Sequence, residues 1–264
     1  MIHFPIFISV LFAVLPLNGV VATKTEAAVE IQKSDRPYLA TGAIATDAAR
    51  QAAAADEKFV YAVTNTHVVK IDRATGNELA RSIGPAEHLN SAFIWKGAVY
   101  CAHSNYPKKP DQSDIRVLDP ATMHLRIYHA FENPPGSLTW AIQKDDAWWC
   151  HFAHYGDANG KSLLVRYDMK WRETARWTYP PALIAEWGKY SASGGVWDAD
   201  DLLITGHDKR QVYRLRLPKK GTVVEVVEAI ATPFPGQGIA TDPVTGGLVG
   251  IDRAGKKLVF AKRP

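Results

Sequence analysis

Apolar runs of three to five residues recur along this chain, and each ends abruptly at polar residues. Leu202-Leu203-Ile204-Thr205-Gly206 stops at His207-Asp208. Val60-Tyr61-Ala62-Val63 stops at Asn65, and Val99-Tyr100-Cys101-Ala102 stops at His103-Ser104-Asn105. Trp148-Trp149-Cys150 meets His151, with His154-Tyr155 just beyond, and Leu248-Val249-Gly250-Ile251 meets Asp252-Arg253. Short runs of β-branched and aromatic residues bounded by turn residues read as strands. A turn precedes each of them, at Asp56-Glu57-Lys58, Lys96-Gly97, Lys144-Asp145-Asp146, Asp198-Ala199-Asp200-Asp201 and Thr245-Gly246-Gly247. Such clusters between apolar runs are hairpin signals.

Upstream of each turn lies a strand of small and apolar residues, at 51–55, 91–95, 137–141, 191–196 and 238–241. Small side chains suit strands that crowd around a common axis. The alanines at 52–55 favour a helix in isolation, but their place in the repeat assigns them to a strand. Downstream, third strands such as Val68-Val69-Lys70-Ile71-Asp72 alternate and run into turn chemistry, here Arg73-Ala74-Thr75-Gly76. Fourth strands follow at 78–83, 124–130, 173–178 and 222–230.

The unit repeats at a spacing of roughly 40–55 residues, the range of propeller blades. It predicts an all-β fold, a five-bladed β-propeller of four-stranded antiparallel blades. The blades fall near 47–84, 85–131, 132–180, 181–232 and 233–264. The last unit ends after its third strand, at 257–262. A strand from 29–46 would supply the fourth, closing the ring and hiding an exposed edge. An open β-sandwich is the competing arrangement of the same strands.

Composition agrees with a folded domain: of 264 residues, 47% are hydrophobic and 22% charged. The net charge of +4 is scattered, in doublets such as Lys108-Lys109 and Lys219-Lys220, without the basic stripe of a nucleic-acid binder. Residues 1–22 hold no Lys, Arg, Asp or Glu, and an apolar run at 4–17 leads to Val20-Val21-Ala22. That pattern predicts a signal peptide cleaved after Ala22, leaving 23–264 as one exported domain, periplasmic or extracellular. An uncleaved anchor is the alternative, but Pro5, Pro16 and Asn18 make a poor span. No stable span is expected after cleavage, and the mature chain is expected to be a monomer. Cys101 and Cys150 hold equivalent places in neighbouring repeats, which predicts two free buried thiols rather than a disulfide.

In a propeller, innermost strands start and second strands end on one face of the disc. The interblade loops therefore bring His88, Asn90, Ser91, Ser137, Lys189, Tyr190, Ser191 and Gln237 to that face. Second-strand ends add Asn65, His67, His103, Ser104, Asn105, Tyr106, His151, His154, Tyr155, His207, Asp208, Asp252 and Arg253. Histidines 67, 88, 103, 151, 154 and 207, six of the nine, share it.

Three readings of this face compete. His103, His154 and His207 could converge on a divalent metal. They could instead act as acid or base on a substrate, with Asp208 orienting a ring. Or they could be hydrogen-bonding residues that fill a wet channel. On either active reading His88, Asn90, Asn105, Tyr155, Lys189, Tyr190, Gln237 and Asp252 are the ligand contacts, and the ligand is a small polar or carboxylated molecule or a glycan. Trp187, in a long interblade loop, is a candidate for stacking on a sugar. No G-x-S-x-G or H-E-x-x-H is present.

Tyr61-Ala62-Val63-Thr64-Asn65 and Ile71-Asp72-Arg73-Ala74-Thr75-Gly76 carry a family resemblance. The chain resembles exported β-propellers with YVTN, lactonase-like and quinoprotein-like repeats, some of them cycloisomerases or lactonases. It is also similar in outline to plant-type glutaminyl cyclases, five-bladed propellers whose Gln-Gly turn Gly236-Gln237-Gly238-Ile239-Ala240 resembles. The resemblance implies the propeller, and isomerase, lyase or lactonase chemistry as one expectation. It transfers no complete catalytic set, and a non-catalytic propeller binding a glycan, peptide or envelope partner stays open beside it.

Overall fold

The computed structural model describes Met1 and residues 30–264, so the expected signal peptide lies, beyond Met1, outside the described residues. Five four-stranded antiparallel sheets form a five-bladed β-propeller. Blade I runs from Ala52–Ala55 to Glu78–Arg81, blade II from His88–Trp95 to His124–Ala130, and blade III from Ser137–Lys144 to Glu173–Trp177. Blade IV runs from Gly194–Asp198 to Glu225–Ala231. Blade V combines Ala240–Asp242, Gly247–Asp252 and Lys257–Lys262 with Leu39–Ala45, so the start and end of the ring share one sheet.

The axis explains the small residues. Ala52, Ala53, Ala54 and Ala55 are all buried. A Cβ on Gly195 would come within 2.9 Å of the Trp140 ring, so a side chain there would collide with the next blade. Large aromatics fill the wedges between blades instead. Trp148 of blade III packs edge-on against Trp95 of blade II, with ring centroids 5.6 Å apart. Cys101 and Cys150 are buried and free.

Two features fasten the ring where the chain closes. Arg73 of blade I grips Asp242 of blade V through Nη1–Oδ1 at 2.6 Å and Nη2–Oδ2 at 2.8 Å. Such forked pairs are among the strongest side-chain contacts. Before entering blade V, the chain runs beside blade IV, where Ala229 donates to Gln32 O and accepts from Ser34 N–H, both at 2.8 Å. This covers the outer edge of blade IV.

The long interblade loop before blade IV contains a helix that strand patterning does not predict, Pro181–Trp187. Proline sits at its first turn, where a missing N–H costs nothing. Gly188, at φ 64°, ends it by donating to Ala185 O and Ile184 O. A 3-10 turn, Gly156–Lys161, packs beside this helix. The innermost strand of blade V starts at Ala240, two residues later than the pattern suggests, because Gly238 N–H is taken by Gln51 O of blade I at 2.8 Å. Among the described residues, no helix is long and apolar enough to cross a membrane.

Candidate functional site

A cavity of about 310 Å³ opens where the innermost strands begin, and every blade contributes to its wall. Gln51 comes from the entry to blade I, and His88, Asn90 and Tyr106 from blade II and its loop. Thr139 and Tyr155 come from blade III, Ser191, Ser193, Tyr190 and His207 from blade IV, and Gln237 and Arg253 from blade V. Of the residues that the sequence places on this face, His88, Asn90, Tyr106, Tyr155, Tyr190, Ser191, His207, Gln237 and Arg253 line it. No Asp or Glu does.

His207 is the best-oriented base. Its Nδ1 lies 2.5 Å from Asp208 Oδ1, and Tyr190 stacks on its ring with centroids 3.9 Å apart. Donation from Nδ1–H to the carboxylate places the lone pair on Nε2. The segment is pinned from blade V: Gln237 donates from Nε2 to His207 O at 3.0 Å, and from its N–H to Gly206 O at 3.1 Å. Thr205 Oγ1 donates to Gln237 O at 2.5 Å. Gln237 holds φ 110°, a region that side-chain-bearing residues avoid. Strain of this kind persists only where the surroundings impose it, and it concentrates at functional sites.

Arg253 supplies the positive charge. Its Nε donates to Arg50 O at 2.8 Å, and among the described residues no carboxylate lies in ion-pair range of its guanidinium. Burial pushes its pKa down, against the opposing pull of Asp208. Burial also lowers the His88 pKa, and nearby His103 and Arg253 lower it further. His88 is therefore neutral at pH 7 and meets a ligand as a hydrogen-bonding group.

The structure does not bring the other sequence candidates together. His103 is buried away from the cavity, with Nδ1 2.9 Å from Asp114 Oδ2 and Nε2 accepting Glu87 N–H at 2.9 Å. Both ring nitrogens are occupied, and Asp114 also pairs with Arg116 at 2.5 Å, so His103 ties the interblade loop to blade II. His154 Nε2 donates to Pro135 O at 2.7 Å, locking another loop. The proposed metal trio of His103, His154 and His207 therefore does not converge. Each ring finds a nearer partner in its own blade or loop, and the described residues hold no group of three metal-ligating side chains.

Asn105 clamps the 106–112 turn through Pro110 O and Gln112 N–H, both at 2.9 Å. Asp252 organises its own turn, accepting Gly255 N–H at 3.0 Å and facing Arg210 at 3.4 Å. Lys189 lies in an adjoining cleft, its Nζ 5.2 Å from the Tyr190 ring. Trp187 is no sugar platform: it is buried, edge-on to Tyr179 at 4.8 Å.

Gln51 and Thr139 escaped the sequence reading as wall residues. Gln51 precedes a run of alanines and Thr139 lies between Leu138 and Trp140, so both read as strand interior. Their signal is a lone polar side chain near the start of an innermost strand.

No family model matches the chain, and no curated protein matches it. Among solved structures it is similar to the glutaminyl cyclase of Myxococcus xanthus, with a TM-score of 0.61 at 8% identity, covering 89% of this chain and 98% of that one. A chain of the mitotic checkpoint complex aligns with a TM-score of 0.45 at 9% identity, covering 78% of this chain and 74% of that one. The cyclase shares the fold.

Proposed function

We propose that the axial cavity takes a small carboxylated or otherwise polar molecule and carries out proton transfer beside a carbonyl, the chemistry of an isomerase or lyase. One observation carries this reading. Among the described residues, an arginine with no carboxylate partner and an Asp-oriented histidine line the same cavity, to which no carboxylate contributes. Arg253 is free to pair with a substrate carboxylate through Nη1 and Nη2. His207 Nε2 would take a proton from the carbon next to the carbonyl; the C–H electron pair would become a carbon–carbon double bond, and the carbonyl π pair would move onto the oxygen. Asp208 stabilises the resulting imidazolium. Returning the proton to another atom completes an isomerisation, and loss of a β-substituent completes an elimination.

A glutaminyl cyclase of the same fold is compatible with an enzyme and assigns no substrate. Kinship with YVTN and lactonase-like propellers rests on the 61–65 and 71–76 motifs, and export rests on residues 1–22. A second reading, recognition of a glycan without turnover, is favoured by Tyr106 and Tyr155. Their rings meet 4.6 Å apart on the cavity wall.

Deuterium exchange into the C–H positions of 2-oxo acids and lactones, followed by NMR, tests the reading without knowledge of the product. Exchange by the wild type that drops at least a hundredfold in His207→Ala supports it, since general-base removal costs about 10²–10⁴. Absence of exchange with every probe, or equal exchange by His207→Ala, refutes it.

A further inference from the structure

Behind Ser191, in the cavity wall, lies a buried chain of polar groups that the proton-transfer reading does not use. Tyr179 Oη is 2.7 Å from His151 Nδ1, and His151 Nε2 is 3.1 Å from Ser191 Oγ. Ser191 Oγ is also 2.9 Å from Ser162 Oγ, which accepts His154 N–H at 3.0 Å. The direction of the chain follows from one end. Tyr179 is buried, and His151 Nδ1 is the one partner of its hydroxyl among the described residues. If the phenol accepted, its own proton would be stranded out of water, at a cost of about 1–3 kcal/mol. So Tyr179 donates to Nδ1, and His151 carries its proton on Nε2 and donates it to Ser191. Desolvation holds His151 neutral, with a pKa down to about 3. The chain therefore keeps this polarity at working pH.

A serine that already accepts from an imidazole N–H is not being deprotonated. This is the reverse of a nucleophile with its base. Ser162 Oγ has three acceptors in reach, Ser191 Oγ at 2.9 Å, Asn159 Oδ1 at 3.2 Å and His154 O at 3.5 Å; donation to the nearest of them gives Ser191 its second hydrogen bond and leaves the Ser191 proton to point into the cavity. We infer that Ser191 is the hydrogen-bond donor to the carbonyl or enolate oxygen of the bound molecule, aimed by the positioning residues His151 and Tyr179. This rests on the proposed proton-transfer reading and adds its missing part. When His207 removes the C–H proton, charge gathers on the carbonyl oxygen, and a fixed donor there lowers the barrier.

Two measurements test it. In the ligand-free protein, ¹⁵N-correlated NMR of His151 should show the neutral Nε2–H form, and Tyr179→Phe should lose that preference. A neutral Nδ1–H form in the wild type overturns the inference. Titration calorimetry then compares pyruvate with propionate, acids of equal carbon count with and without the carbonyl. Ser191→Ala should weaken pyruvate about tenfold, the loss of one well-placed hydrogen bond, and leave propionate unchanged. Equal weakening of both acids, unchanged pyruvate binding, or no pyruvate binding by the wild type overturns it. Arg253→Gln separates the two claims. If it weakens both acids while Ser191→Ala weakens neither, the carboxylate site stands and the Ser191 donor falls.

Discussion

Removing Asp242 should loosen the ring where its two ends meet. Its side chain is fully buried, and the side chain of Arg73, whose guanidinium it grips, is only 15% exposed. The carboxylate also accepts from Thr245 Oγ1 at 2.6 Å. Asp242→Ala strips these bonds and strands a largely desolvated cation, whose remaining bond is to Asp56 O at 3.1 Å. Breaking a buried pair from one side costs about 3–5 kcal/mol, which for a domain of this size lowers Tm by about 6–20 °C. Arg73→Ala should cost a similar amount. The double variant should cost less than the sum, by about 1–3 kcal/mol, because no uncompensated charge is left behind.

The pH dependence has a definite sign. Burial raises the Asp242 pKa, but hydrogen bonds from Arg73 and Thr245 outweigh it and hold the pKa below the usual value. The stabilisation is therefore present above the unfolded carboxyl pKa of about 3.9 and fades as pH falls through the lower folded value. Urea unfolding followed by tryptophan fluorescence gives all four corners of the cycle. A loss under about 1 kcal/mol for Asp242→Ala, or strict additivity, would refute the claim that this pair is a closing latch.

Further expectations follow from the same geometry. Gly195→Ala should destabilise by about 1–3 kcal/mol, because its Cβ meets the Trp140 ring at 2.9 Å; urea midpoints against wild type measure it. His151 has a folded pKa of about 3, lowered by burial and then by His154. Below the unfolded value of about 6.5 the unfolded chain binds the extra proton, so stability falls by up to about 1.4 kcal/mol per pH unit. A His151→Gln variant should lack that share of the slope between pH 6.5 and 4.5, and an unchanged slope would contradict the buried neutral ring. Burial also pushes the Cys101 and Cys150 thiols up, Cys101 to about 12. A thiol-specific chromogenic reagent should therefore find no reactive sulfhydryl in the native protein and both after guanidinium unfolding.

The fold was readable because blade geometry is a matter of period and size. Alternating third strands, charged turns and small innermost residues recur in register, and Leu39–Ala45 completing the last sheet follows from counting strands against ring closure. The helix Pro181–Trp187 was hidden because it sits in a stretch where the repeat is silent. The candidate site was readable as a face but not as a set of side chains. Strand position delivers His103, His154 and His207 to the same rim. Whether a ring then faces the axis depends on the partners beside it. Asp114, Glu87 N–H and Pro135 O capture two of the rings, and sequence spacing does not reveal those contacts. Arg253 is the converse case. It lies among the polar strand ends in the sequence, yet its proposed role emerges only when no carboxylate among the described residues is found to pair with it.

The most direct test of the central claim is NMR mapping of a titration with pyruvate. The account predicts shifts at the Arg253 Nε–H, the His207 ring and the Ser191 amide, all on the axial cavity. It predicts no change at the Trp197 indole, which borders the separate opening lined by Phe93 and Ile142. Shifts centred on Trp197 with Arg253 and His207 unmoved would contradict it.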